Sequence, residues 1–352
     1  IHSNARIVFG DEIVRGSVVV RDGYIDAIDP GSSSLPAAMD CEGDYLLPGL
    51  IELHTDNMEK YFIPRPGVIW PRLAAILAHD KQMVSSGITT VFDAVALGYN
   101  APDGHRRAIL DDVLESIGYI HEHGLNAADH FLHLRCELCS AEVVSEFDDN
   151  ATNPLLRLVS LMDHAPGQRQ FARIDMYIKY YTKKYGYKEE EMARYIAEHQ
   201  QASETWSSPN RRHIADYCRA HDIPLASHDD ATVEHVAEAV EFNVEIAEFP
   251  TTLEAAQKSH EHQLSVLMGA PNLIRGLSHS GNIAARELAE HGCLDILSSD
   301  YYPTSLLQSA FALAELDIGY DLPAAIQCVT RNPAQAVGLD DRGSIETVSY
   351  TH

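Results

Sequence analysis

His54 and Asp56 stand two residues apart at the end of an apolar run, within the stretch LIELHTDNMEKYFIPRPGVIWP. Such a run reads as a buried strand, and side chains at i and i+2 of a strand share one face. An imidazole and a carboxylate presented together suit Zn²⁺, Mn²⁺ or Fe²⁺. The same arrangement, an apolar run closed by polar or titratable residues, recurs along the chain. Arg135 and Glu137 close one run, and Asp163 and His164 open MDHAPGQRQ after another. His228, Asp229 and Asp230 lie in ASHDDAT, and Glu248 opens EFPTT. Asn272 and Arg275 follow in GAPNLIRG, and Asp300 with Tyr301 in SSDYYP.

Each residue alone has a plainer reading. A single acid after a strand commonly caps the next helix, and a single histidine is commonly a core residue. As a series they would repel one another unless cations sat among them. The expected metal set is His54, Asp56, Glu137, His164, His228 and Asp300. A second group is basic: Lys60, Arg65, Arg135, Arg169, Lys179, Lys183, Lys184 and Arg275. In so acidic a chain their clustering suggests a local anion site, set against the plainer reading of surface cations paired with the many acids. Pro64, Pro66 and Gly67 would limit the backbone freedom around Arg65.

These residues need elements to position them. Strands are expected at 50–56, 88–95, 130–138, 157–164, 223–229, 244–249, 264–269 and 294–299, with amphipathic segments such as WPRLAAILAHDKQMVSSG between them. Strand–helix alternation implies a parallel sheet, and about eight such units imply a closed (β/α)8 barrel, with catalytic groups at the C-terminal strand ends. The alternative is a doubly wound open sheet, but no G-x-G-x-x-G follows the first strand. Residues 1–48 have short β-branched runs broken by Gly and Asp-Gly, the pattern of hairpins in a small sheet domain. The barrel is expected over 49–339, with an insertion at about 165–222 over the active-site face.

Charge and composition narrow the function. There are 26 basic and 52 acidic residues among 352, a net charge of −26, which argues against nucleic-acid and anionic-membrane partners. No apolar run approaches the ~18 residues of a membrane span. The chain starts at Ile1 without a basic-then-apolar leader, so a soluble mature protein or a fragment without its initiator is expected. Six sparse cysteines fit a reducing cytoplasm. Cys136 and Cys139 form a lone C-x-x-C inside strand-like sequence, which reads as core before it reads as a zinc knuckle or redox pair.

The small N-terminal sheet, PGLIELHTD and the late SSD resemble the amidohydrolase superfamily. Longer strings, HLRCE, LMDHAPGQRQF, SHDDAT, EFPTT and GAPNLIRGLSHSGN, resemble a phosphonate-metabolism branch of it over about residues 40–345. The resemblance implies hydrolysis of α-D-ribose 1-methylphosphonate 5-triphosphate to the 5-phosphate and pyrophosphate. It also implies one or two divalent ions, zinc foremost and manganese or iron as alternatives. The usual second histidine of the first strand is Asp56 here, and His164 stands at the strand end where the usual bridging lysine would be. Glu137 becomes the expected bridging substitute, and Glu248 a further metal candidate in place of the sixth-strand histidine. Asp300 is the expected general base. Lys60, Arg65, Arg135, Arg169, Asn272, Arg275 and Tyr301 are the expected substrate contacts. The partner is then a small phosphorylated sugar, and a homo-oligomer is compatible. Two competing functions are a C–N hydrolase on the same scaffold, which needs few phosphate-binding arginines, and a non-catalytic scaffold that lost its metal. In the superfamily the chain returns to the small sheet after a DRGSI stretch. Here DRGSIETVSYTH stops, so a truncated or altered end is expected, with 340–352 as its contribution to the small domain.

Overall fold

The computed structural model describes residues 1–98, 105–167, 169, 177–178, 182, 188–276 and 282–347. Five strands form the small sheet: β1 (His2–Val8), β2 (Ile13–Arg21), β3 (Tyr24–Pro30), β4 (Met39–Asp40) and β5 (Tyr45–Leu46). The turn between β2 and β3 is Asp22-Gly23, both at positive φ (53° and 80°). Two left-handed residues match the twist of a two-residue hairpin, and Asp-Gly tolerates that backbone. Ala5, Ile7, Val18 and Ile25 make the sheet's core, and Ile345 from the far end of the chain packs into it.

Eight parallel strands follow: β6 (Leu50–Thr55), β7 (Ile88–Leu97), β8 (Asp129–Glu137), β9 (Leu156–Met162), β10 (Leu225–His228), β11 (Ile246–Glu248), β12 (Ser265–Gly269) and β13 (Ile296–Ser298). All eight expected strands are present and pair in chain order. They form a nearly closed barrel, whose two ends meet through a bridge between Thr55 and Asp300. Ile51, Leu53, Phe92, Leu158, Ala226, Ile246, Leu267 and Ile296 form one compact cluster, and a larger cluster joins the strands to the helices.

Three details shape the site. First, β6 is irregular: Glu52 pairs with Val91 but Thr55 with Asp93, so β6 carries one extra residue around His54. Such a bulge re-aims side chains, so simple alternation does not describe this strand end. Second, the helices after β10 and β11 are capped by threonines. Thr232 accepts from His235 N, and Thr252 from Ala255 N. Capping is therefore not the job of Asp229, Asp230 or Glu248. Third, the long connection between β9 and β10 holds a 32-residue helix, Glu189–Ala220. Its second half buries Asn210, Ile214, Ala215 and Cys218, and Asn210 Nδ2 donates to the carbonyls of Leu138 (2.9 Å) and Ser140 (2.8 Å). The second half of this helix therefore packs with the helices around the barrel, while Met192, Tyr195 and Ile196 of its first half cluster with Tyr177. Much of 168–187, including Lys179, Lys183 and Lys184, lies outside the described residues.

Candidate metal centre and active site

Glu248, at the end of β11, is fully buried among three donors. It accepts from His54 Nδ1 at 3.0 Å, His228 Nδ1 at 3.1 Å and Ser160 Oγ at 2.8 Å. One carboxylate thus fixes two imidazoles, whose rings stack with centroids 5.6 Å apart and an angle of 21°. A ring that donates from Nδ1 keeps a lone pair on Nε2, the form a metal ligand needs. Burial opposes charge on Glu248, but His54 and His133 outweigh it and hold the carboxyl well below its usual range.

A second carboxylate does the same for His164. Glu137 Oε2 accepts from His164 Nδ1 at 2.6 Å, and Oε1 accepts the His164 backbone N–H at 2.9 Å and the Cys139 thiol at 3.4 Å. The Nε2 atoms of His164 and His228 lie 3.6 and 3.5 Å from Asp229 Oδ2. His164, His228 and Asp229 offer ligand atoms all within 4.8 Å of one another. Asp229 Oδ2 is buried without a hydrogen-bond partner among the described residues. An orphaned carboxylate oxygen facing two imidazole Nε2 atoms is a donor set that suits a divalent cation, which would bind in place of a proton. Burial opposes charge on His164, but Glu137 and Asp229 outweigh it and push the imidazole up to about 10. Burial pushes His228 down.

The third group faces the mouth of the barrel at its seam. Arg135 Nη1 donates to Asp56 Oδ1, and Asp56 N donates to the Asp300 carbonyl at 3.0 Å. Burial, then the charge of Asp56, pushes the Asp300 carboxyl up to about 7, against the opposing pull of His54 and Arg135. That value suits proton transfer near neutral pH.

The other expected contacts divide. Lys60, Arg65 and Arg275 are exposed, and Tyr301 is 45% exposed. Arg65 sits in a tight turn in which Val68 N donates to its carbonyl at 3.0 Å. Arg169 is buried, donating to Asp230 and, at 2.8 Å, to Glu238, which Arg211 of the long helix shares. Its guanidinium holds the turn after β10. Asn272 also works internally: its Oδ1 accepts Ala285 N at 3.0 Å.

Asp229 stands with His164 and His228 although its position in SHDD gave no reason to rank it above Asp230. Its φ of 57°, a backbone region that aspartate tolerates, turns it toward the histidines, and sequence does not display that angle. A further buried cluster lies on the outer side of β7 and β8. Asp93 accepts from His79 and His130, both at 2.7 Å, and Asp80 lies 3.3 Å from His130. Each carboxylate there already has partners, so the cluster is satisfied without a cation.

Comparison with known proteins accords with this geometry. Residues 45–348 match the model of the Amidohydrolase family. The chain is 52% identical over 346 residues to the Alpha-D-ribose 1-methylphosphonate 5-triphosphate diphosphatase of Escherichia coli (strain K12), covering 98% of this chain and 92% of that protein. Among solved structures, N-acetylglucosamine-6-phosphate deacetylase from Pasteurella multocida is similar at a TM-score of 0.63 and 14% identity, covering 99% of this chain and 92% of that one. A D-hydantoinase is similar at 0.52 and 14%, covering 99% and 84%. At such identities these two structures speak for the fold alone.

Proposed function

The chain belongs to the amidohydrolase family, and we propose that it hydrolyses α-D-ribose 1-methylphosphonate 5-triphosphate to α-D-ribose 1-methylphosphonate 5-phosphate and pyrophosphate. The observation that carries this reading is the 52% identity to the Escherichia coli diphosphatase over nearly the whole chain. The arrangement of the mouth supports it: imidazoles and carboxylates that suit a divalent ion, a carboxyl whose pKa burial raises, and Arg135 held against Asp56.

His164, His228 and Asp229 would hold the ion, with His54, Asp56 and Asp300 completing the set. Glu137 and Glu248, which the sequence suggested as ligands, serve instead to hold the Nδ1 atoms of the ligand histidines. Imidazole and carboxylate donors suit Zn²⁺ first, with Mn²⁺ and Fe²⁺ compatible. A bound divalent ion supplies Lewis acidity, lowering the pKa of water and offsetting phosphate charge.

This chain's own groups do the rest. Asp300 takes the proton of the attacking water. The water adds to the phosphorus on the ribose 5-oxygen, and pyrophosphate leaves in line. Arg135, held against Asp56, faces the developing charge. Arg65, Arg275 and Lys60, exposed cations in a chain of net charge −26, receive the outer phosphates. Asp230 and Glu238 turn Arg169 away from this task. No helix among the described residues is long and apolar enough to cross a membrane. All six cysteines are free, and we place the enzyme in the cytoplasm. The test is pyrophosphate release from the ribose triphosphate by metal-loaded protein. Its absence under conditions where a neutral cyclic amide is hydrolysed would replace this reading with a C–N hydrolase.

A further inference from the structure

We propose that Glu52 is a positioning residue for Asp300, acting as a side-chain staple across the barrel seam. The inference rests on the role given above to Asp300. Every other neighbouring pair of barrel strands is joined by a backbone ladder, but among the described residues β6 and the chain at the end of β13 share only the Thr55–Asp300 bridge. Where the seam's N–H groups go can be accounted for atom by atom, as buried backbone donors require. At the lower end, residues 328 and 329 wedge between the strands. Ile51 N donates to the Val329 carbonyl and Leu297 N to the Cys328 carbonyl, both at 2.9 Å. At the mouth, Asp56 N donates to the Asp300 carbonyl at 3.0 Å, and Thr55 Oγ1 reaches the same oxygen at 3.1 Å.

Between these points no backbone hydrogen bond joins the two strands among the described residues, and the side chain of Glu52 spans the gap. Its Oε1 accepts His54 N at 2.7 Å and lies 2.5 Å from Ser298 Oγ. Its Oε2 accepts Ser299 N at 2.5 Å. Ser298 Oγ shares its one proton between Glu52 and the His54 carbonyl, 2.6 Å away, and accepts Asp300 N at 3.3 Å. The side chain of Glu52 is fully buried.

Three donors converge on Glu52, and only a carboxylate has acceptors for all of them. The staple ends beside a residue that needs holding, for Asp300 has φ of 54°, a left-handed backbone that persists where neighbours fix it. The same carboxylate fixes the backbone of His54 on one strand and of Ser299 on the other. It thereby sets the distance between the metal-ligand strand and the base.

Glu52→Gln is the test. One amide face still accepts, but the other places N–H against Ser299 N–H, so the chain beside Asp300 must move. In folded, metal-saturated variant, kcat for the ribose triphosphate is expected to fall roughly 10- to 100-fold, since small misplacements cost that much. KM, measured at metal saturation, should stay within about threefold, because the loss is confined to the transition state. Wild-type kcat in the loaded variant overturns the proposal, as does full recovery of kcat on adding excess metal. Should Glu52→Gln not fold, Ser298→Ala carries the test: an expected loss of about tenfold in kcat, and refutation if turnover is unchanged. A wild type that releases no pyrophosphate marks failure of the functional reading. A wild type that does, beside variants that match it, marks failure of this inference.

Discussion

Replacing Glu248 by glutamine leaves the shape of the barrel mouth and changes one atom. Glu248 accepts from both His54 Nδ1 and His228 Nδ1 while fully buried. Glutamine offers one acceptor oxygen in place of two and presents N–H donors where the second oxygen was. One imidazole therefore keeps its tautomer. The other must present Nδ1 as an acceptor and carry its proton on Nε2, which removes that ring from the ligand set. Loss of a carboxylate partner behind a ligand histidine typically costs 10- to 100-fold in metal affinity, or about 1.4–2.7 kcal/mol. The Ser160 hydroxyl, which donates to Glu248 at 2.8 Å, loses its acceptor where the amide N–H replaces that oxygen, adding about 1–3 kcal/mol of lost stability. The assay is chelator-competition titration of both proteins, with denaturant unfolding of each in metal-free form. Wild-type metal affinity in the folded variant would refute the positioning argument. Complete loss of metal binding would refute it from the other side, by making Glu248 itself a ligand.

Asp300→Asn keeps shape and removes the proton acceptor, so turnover should drop roughly 10²-fold or more in protein saturated with metal. Kinetics of the metal-loaded variant check this. Arg65→Ala or Arg275→Ala should weaken binding of the triphosphate by roughly 1–3 kcal/mol per lost charged hydrogen bond and leave a neutral cyclic amide unaffected; steady-state KM values decide it. Moderate salt should help or hardly hurt encounter with a polyphosphate, because it screens the repulsive field beyond about 10 Å. The buried His130 carries the pH prediction. Burial opposes its charge, but Asp93 and Asp80 outweigh it and raise it from 6.5 to about 9. A raised imidazole stabilises fully below its unfolded value, so that contribution is lost as pH climbs from about 6.5 through 9, by up to about 3 kcal/mol. Unfolding free energies of wild type and His130→Asn across this window should converge, and parallel curves would contradict the ion-pair reading.

The strands were legible because each is a short apolar run ended by polar residues, and their parallel order follows from the helices between them. The candidate metal residues were legible for the same reason: they stand at the C-terminal strand ends, which face one mouth of a barrel. What could not be read depends on backbone detail and distant partners. The bulge at His54 leaves no mark in LIELHTD, so Glu52 reads as one more strand residue and its place at the seam stays hidden. Asp229 and Asp230 are adjacent and alike. One faces two histidines and the other faces Arg169, 61 residues earlier, because the turn after β10 points them apart. Arg169 looked like a substrate cation since its partner Glu238, 69 residues later, lies on the helix that follows that turn. Glu137 and Glu248 show as acids near histidines, but sequence does not display that each accepts from an imidazole Nδ1.

The proposed cleavage depends on a metal and on Asp300 taking a proton from water. Pyrophosphate released from α-D-ribose 1-methylphosphonate 5-triphosphate, followed in metal-loaded wild type, in chelated wild type and in metal-loaded Asp300→Asn, tests it most directly. The expected result is release by the first alone at an appreciable rate, with metal addition restoring the second and leaving the third slow. Release that persists under chelation, or equal rates in wild type and Asp300→Asn, would contradict it.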